Sequence, residues 1–225
     1  MAIVDAQYKF LYIDVGCNGR ISDGGVFQRC SLYEAIQTDD LEFPQTVPLP
    51  ERNTCIPYFF VGDDAFAMAP YMMKPYPFRD LPGPHRIYNY RLSRARRVVE
   101  NAFGIIANRF RILRRPINLH PEKVTRIVLA ICTLHNFLLA TKQAKSNYAY
   151  QGLLDHEDPR THIVTPGQWH QETDPQNAFL PLQPATNHNY SNAAKDIRKE
   201  LTEYFMTSSG EVPWQYERIA SNSRQ

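Results

Sequence analysis

Tyr58-Phe59-Phe60-Val61-Gly62-Asp63-Asp64 is the stretch whose reading decides the fold. Four apolar residues in a row predict a short strand buried on both faces. Gly62 closes it, and two acids follow at its end. Adjacent residues on an extended chain point to opposite sides, so only one of Asp63 and Asp64 can face a shared site. Spacing alone does not choose between them.

Working outward toward the N-terminus, residues 38–57 hold four prolines and predict a loop. Before it, Ser22 or Asp23 precedes Val26, Phe27, Cys30, Leu32 and Ile36 at helical spacing, which predicts a helix. Lys9 to Val15 is short, apolar and aromatic and predicts a strand. Toward the C-terminus, residues 70–85 carry five prolines and predict an irregular insert. Ser93 then offers a cap for a long helix whose apolar face is Leu92, Val99, Phe103, Ile106, Phe110 and Leu113. Pro116 ends it, and Pro121 opens a second helix with Val124, Ile127, Val128, Ile131, His135 and Leu138 on one face. Residues 1–144 are thus expected to form the domain. The remainder, 145–225, is read as a polar tail. Within it, 145–190 is expected to be poorly ordered. A short helix is expected near 192–206, through Ile197, Leu201, Tyr204 and Phe205.

The net charge of +2 hides a segregation: residues 1–85 carry −5, residues 86–144 carry +10 and residues 145–225 carry −3. Between Arg86 and Arg115 lie nine arginines, no lysine and one acid, Glu100. An acidic segment joined to a basic one suits a site for metal and polyanion together. The competing reading is an ordinary solvated basic helix. Cys17, Cys30, Cys55 and Cys132 form no CxxC pair and are read as reduced thiols of an intracellular protein. The N-terminus has no secretory signal pattern, and no run of eighteen apolar residues suggests a membrane span. Nucleotide-binding glycine motifs and the GxSxG serine-hydrolase motif are absent from the sequence, so no nucleotide cofactor is expected.

Asp63 and Glu100, with thirty-six residues between them, are the pair that could carry chemistry. Carboxylates suit Mg²⁺ or Mn²⁺, which prefer oxygen ligands. Two such ions about 4 Å apart can stabilise both the attacking and the leaving oxygen of phosphoryl transfer. Arg96 and Arg97 fall one helical turn before Glu100, and arginine forks suit phosphates. Glu100 as a simple i−4/i−3 ion-pair partner is the competing reading. Asp14, near a strand end, reads as an outward acid, and Asp23 as a helix cap. His135 reads as a packing-face histidine, and the other six histidines make no metal motif.

Three segments together resemble a known family. They are Val61-Gly62-Asp63-Asp64-Ala65-Phe66, Tyr88-Asn89-Tyr90 and Ser93-Arg94-Ala95-Arg96-Arg97-Val98-Val99-Glu100-Asn101-Ala102-Phe103-Gly104. Ile21-Ser22-Asp23-Gly24-Gly25-Val26-Phe27 and Leu134-His135-Asn136-Phe137 add to the match. The pattern is similar to the catalytic region of PIF/Harbinger-type transposases, DDE-superfamily endonucleases, over roughly residues 3–140. Tyr204-Phe205 and Gly210-Glu211-Val212-Pro213-Trp214-Gln215 resemble a tail of insect-type members.

The resemblance implies an α/β, ribonuclease H-like fold: a mixed sheet flanked by helices, with carboxylates converging on metal. It selects Asp63 over Asp64 and places the family's glutamate on Glu100, with Mg²⁺ or Mn²⁺ as cofactor. Arg94, Arg96, Arg97, Arg109 and Arg111 become candidate DNA-phosphate contacts. DNA and a Myb-like partner protein are the implied partners, and the nucleus the implied location. One departure stands out. The family's first aspartate, on the first and central strand, has no counterpart here, since neither Asp5 nor Asp14 matches it. The helical DNA-binding region that precedes the family's catalytic domain has no counterpart either. Cleavage is therefore expected to be impaired. The alternative is a non-catalytic remnant that binds DNA or a partner protein.

Overall fold

The computed structural model describes residues 1–17, 21–77, 80–172 and 191–221. In chain order the elements are β1 (Ala2–Val4), β2 (Phe10–Ile13), α1 (Asp23–Arg29), α2 (Ser31–Gln37), β3 (Val47–Pro48), β4 (Cys55–Ile56), β5 (Phe60–Val61) and β6 (Met72–Met73). There follow α3 (Gly83–Arg109), a 3₁₀ turn (Arg111–Arg114), α4 (Pro121–Ala140), α5 (Lys142–Tyr148), β7 (His156–Glu157), β8 (Val164–Thr165), α6 (Trp169–Glu172), α7 (Asn192–Tyr204) and α8 (Gln215–Ser221). The class is mixed α/β. Among the described residues the strands form two-stranded sheets: β1–β2, β3–β4 and β7–β8 antiparallel, β5–β6 parallel.

The chain divides into two compact units, Met1–Ile21 with Arg97–Leu182, and Ser22–Arg96 with Gln183–Gln225. In the first, Phe10 packs with Ala102, Ile106, Ile131 and Cys132. Beside that cluster, Ile105, Leu139, Tyr148 and Leu153 form another, with Trp169 against it. In the second unit the core is Ile56, Met68, Met73, Tyr88, Leu92, Ala194, Ile197 and Leu201. α7 therefore supplies core residues at the spacing that predicts a helix near 192–206.

Several elements differ from the sequence reading. α3 begins at Gly83, ten residues before Ser93, which lies inside the helix. Prolines are tolerated in a first helical turn, where the N–H has no partner anyway. Pro82 and Pro84 therefore open this helix, and Ile87, Tyr88 and Leu92 bury one face of it. Ser22, not Asp23, caps α1, accepting the Gly25 N–H at 3.3 Å. The strand after Tyr58 is not sandwiched on both faces. Phe60 and Val61 are half-buried, while the deep position goes to their partners Met72 and Met73. Composition predicts poor order over 145–190, yet residues 145–172 carry the end of α5, the β7–β8 hairpin and α6. Residues 173–190 lie outside the described residues.

At 20 residues, α4 is long and apolar enough, by length and composition alone, to cross a membrane. Ile131, Cys132, His135 and Leu139 are nevertheless buried within the first unit, as in a core helix. The four cysteines are free thiols.

Candidate active site

Gly62 continues the ladder one residue past β5, donating its N–H to the Met73 carbonyl at 2.9 Å. The residue is buried, and a Cβ there would lie 2.9 Å from the Phe66 ring and 3.0 Å from the Met72 sulfur. Only glycine lets the backbone approach so closely. Asp63 follows, half-buried, and its Oδ1 accepts the Ala65 N–H at 2.9 Å, a turn stabilised by its own side chain. Asp64 faces a different partner: its Oδ1 lies 3.0 Å from the Lys74 ammonium. The two neighbouring acids are thus distinguished by what holds them, a backbone amide for one and a buried cation for the other.

α1 packs against the same turn. A Cβ on Gly24 would come within 2.9 Å of the Ala65 carbonyl oxygen. Phe27 meets Phe66 edge-on, with ring centroids 6.0 Å apart. The Ser22-to-Phe27 motif is accordingly part of the support for the Asp63 turn.

Glu100 sits on α3, exposed, one turn after Arg96 and Arg97. Asp63 belongs to the second unit and Glu100 to the first. Among the described residues there is no cluster of three or more histidine, cysteine or acidic side chains able to hold a metal. Asp5 is engaged in its own turn, its Oδ1 accepting the N–H groups of Gln7 at 2.8 Å and Lys9 at 2.9 Å.

The five candidate arginines divide by environment. Arg94 lies over the Trp214 ring at 5.5 Å. Arg97 donates to Glu157 at 3.3 Å. Arg109 donates to the carbonyls of Tyr148 at 2.7 Å and Asn147 at 2.6 Å, the C-terminal end of α5. Cations are favoured at that end of a helix. Arg96 is half-buried and Arg111 exposed. Other arginines of the basic stretch also hold backbone. Arg91 donates to the Gly210 carbonyl at 3.0 Å, and Arg114 donates to those of Ala107 at 2.9 Å and Asn108 at 3.0 Å.

The asparagines of the motifs are fasteners that residue types alone do not reveal. Asn89 brackets the backbone of Tyr76, accepting its N–H at 2.8 Å and donating to its carbonyl at 2.9 Å. Asn136 does the same to Phe10 of β2, at 2.9 and 2.8 Å. Asn101 Oδ1 accepts the Asp155 N–H at 3.0 Å and the Trp169 indole N–H at 3.1 Å. His135 is buried as its packing face predicts. Its Nε2 lies 2.7 Å from the Tyr8 carbonyl and its Nδ1 2.9 Å from the Tyr148 hydroxyl. The carbonyl can only accept, so Nε2 carries the proton and Nδ1 accepts from tyrosine. Burial lowers the imidazole pKa, opposed by the hydrogen bond to Tyr8.

Comparison with known proteins agrees with these motifs. The family described as DDE superfamily endonuclease matches residues 1–136. "Protein ALP1-like" of Arabidopsis thaliana is 27% identical over 140 residues, covering 61% of this chain and 34% of that protein. "Putative nuclease HARBI1" of Homo sapiens is 33% identical over 145 residues, covering 62% and 36%. The Xenopus laevis protein of the same name is 34% identical over 142 residues, covering 62% and 37%. The chain thus spans about a third of the length of the curated relatives it matches. No solved structure matches it. With more than half of its length matched to the family, and with these relatives, the chain belongs to the DDE superfamily endonucleases, on their Harbinger transposase-derived branch.

Proposed function

We propose that this chain carries the Asp63 and Glu100 ligands of a divalent-metal-dependent, ribonuclease H-like DNA endonuclease, and that alone it cuts DNA poorly. The observation that carries the reading is the Asp63 turn. An acid at a strand end, behind a glycine whose Cβ position is crowded by Phe66 and Met72, is held by one backbone amide. Its neighbour Asp64 is held by Lys74. Two carboxylates suit Mg²⁺ or Mn²⁺ in kind. They fall short in number, which is the reason to expect impairment: removing a hard ligand weakens such a site.

When bound, the metal would supply charge stabilisation to the phosphate oxygens that change partners. Asp63 and Glu100 would hold it. Arg111, which is exposed, and the half-buried Arg96 are candidates for phosphate contact. Arg94, Arg97 and Arg109 would have to exchange the partners described above. The test is nicking of supercoiled DNA by the purified chain, with and without Mg²⁺ or Mn²⁺. Slow, metal-dependent nicking that disappears in Asp63→Ala is expected. Absence of metal-dependent cleavage at every protein concentration would remove the enzymatic reading.

A second reading, DNA or partner binding without cleavage, draws on α4. Leu129, Leu134 and Phe137 form an exposed apolar strip on it, Phe137 being 71% exposed. Such strips mark contact surfaces when they are contiguous. A Myb-like protein is the partner class that this reading would take. Here Asp63→Ala leaves binding intact while charge substitutions at Leu134 and Phe137 abolish partner capture.

A further inference from the structure

Lys74 directly follows β6 and is only 3% exposed. A buried ammonium is costly unless it is paired and hydrogen-bonded. Its Nζ donates to the carbonyls of Asp64 at 2.9 Å and Phe66 at 3.1 Å, and lies 3.0 Å from Asp64 Oδ1. These three acceptors all lie in the turn that follows Asp63. The strand register explains the meeting: Val61 pairs with Met73, so Lys74, the residue after β6, comes level with Gly62 at the start of the turn. The Asp64 side chain is 72% exposed, and among the described residues Lys74 is the partner seen holding its carboxylate.

We propose that Lys74 is a positioning residue that decides which of two adjacent carboxylates can serve as a metal ligand. By tying together the 64–66 backbone and holding the Asp64 carboxylate, it leaves Asp63 to present its oxygen to a divalent cation. The inference rests on the reading of Asp63 as a ligand. It adds that the choice between the two acids is enforced by a cation outside both of them. Groups that orient a ligand change metal affinity by about 10–100-fold when removed.

The test is Mn²⁺ binding by the full 225-residue chain, followed by calorimetry and by electron paramagnetic resonance of the ion. Asp63→Ala is expected to weaken binding about tenfold or more, and Asp64→Asn to change it less than about twofold. In a Lys74→Met background Asp64 is released. There Asp64→Asn is expected to weaken binding about tenfold, because Asp64 has become a ligand. If Asp63→Ala leaves Mn²⁺ binding unchanged, the reading of Asp63 fails. If Asp63→Ala behaves as expected but Asp64→Asn weakens binding equally in the otherwise unaltered chain, Lys74 does not hold Asp64 away and the inference is overturned. That comparison does not depend on the lysine variant folding. Equal effects of Asp64→Asn with and without Lys74 overturn it as well.

Discussion

The indole N–H of Trp169 donates to Asn101 Oδ1 at 3.1 Å, and the same oxygen accepts the Asp155 backbone N–H at 3.0 Å. Asn101 is 2% exposed. One side chain on α3 therefore fastens two points of the polar segment that follows α5. The Trp169 ring completes the contact by lying across Gly104, where a Cβ would stand 2.4 Å from it.

Two substitutions follow from that arrangement. Asn101→Ala removes the acceptor shared by two part-buried donors, a loss of about 1–3 kcal/mol in all. Gly104→Ala improves intrinsic helix propensity by about 1 kcal/mol but forces the indole out, and overpacking costs about 1–3 kcal/mol. Both variants are expected to unfold at lower denaturant concentration than the parent chain. A Gly104→Ala chain that is more stable than the parent would mean that Trp169 does not pack there.

Acid sensitivity is expected from His135. Its pKa is lowered by burial, so between the folded value and the ordinary imidazole value near 6.5 the unfolded chain binds more protons than the folded one. Stability then rises with pH in that window. The contribution is complete above about pH 6.5 and is lost as the pH falls through it, at up to about 1.4 kcal/mol per pH unit. His85, whose pKa is also lowered by burial and by Arg198, acts in the same direction. The informative quantity is therefore the difference between the parent chain and His135→Gln. Glutamine can still donate to the Tyr8 carbonyl and accept from Tyr148 but does not titrate. Denaturation curves from pH 5 to 8 should be flatter for the variant, and identical slopes would contradict the assignment.

Two arginines near the end of the basic stretch should separate structure from DNA contact. Arg109 holds the Asn147 and Tyr148 carbonyls, whereas Arg111 is exposed. Arg109→Ala is expected to lower the melting temperature. Arg111→Ala is expected to leave it unchanged while reducing the slope of log K against log salt for DNA binding by about 0.9, the loss of one phosphate contact. A reversed pattern would exchange their roles.

The uneven legibility of this chain has physical causes. The α4 face was readable because inward residues recur at helical spacing, as the half-buried Ile127 and Val128 and the buried Ile131 and His135 do. On α3 the same spacing is right at the buried Leu92 and Ile106. It is not right at Phe103, which is 38% exposed, nor at Phe110 and Leu113, which lie past the helix end at Arg109. The start of α3 was not readable, because prolines read as breakers until one knows that they stand in a first turn. The density of arginine was legible, but not its use. A guanidinium that caps α5 and one that faces solvent have the same letter, and only tertiary contacts distinguish Arg109 from Arg111. Lys74 was the least legible of all. Its side chain is buried by the parallel pairing of β5 with β6, a contact between residues whose sequence context says nothing about their register.

Gly62 joins packing to the site. The glycine lies between the Phe66 ring, 2.9 Å from a would-be Cβ, and the Met72 sulfur at 3.0 Å. Methionine is flexible and can yield, but the Phe66 ring is also in edge contact with Phe27. Gly62→Ala is therefore expected to cost about 1–3 kcal/mol of stability through overpacking. It should also weaken Mn²⁺ binding, because displacement of the ring moves the Asp63-to-Phe66 turn. Adding Phe66→Ala gives the methyl group room. In the double variant part of the stability lost to Gly62→Ala should return relative to Phe66→Ala alone, the non-additivity expected of residues in contact. Strictly additive losses would mean that Gly62 is not kept small by Phe66, and the close approach behind Asp63 would need another cause.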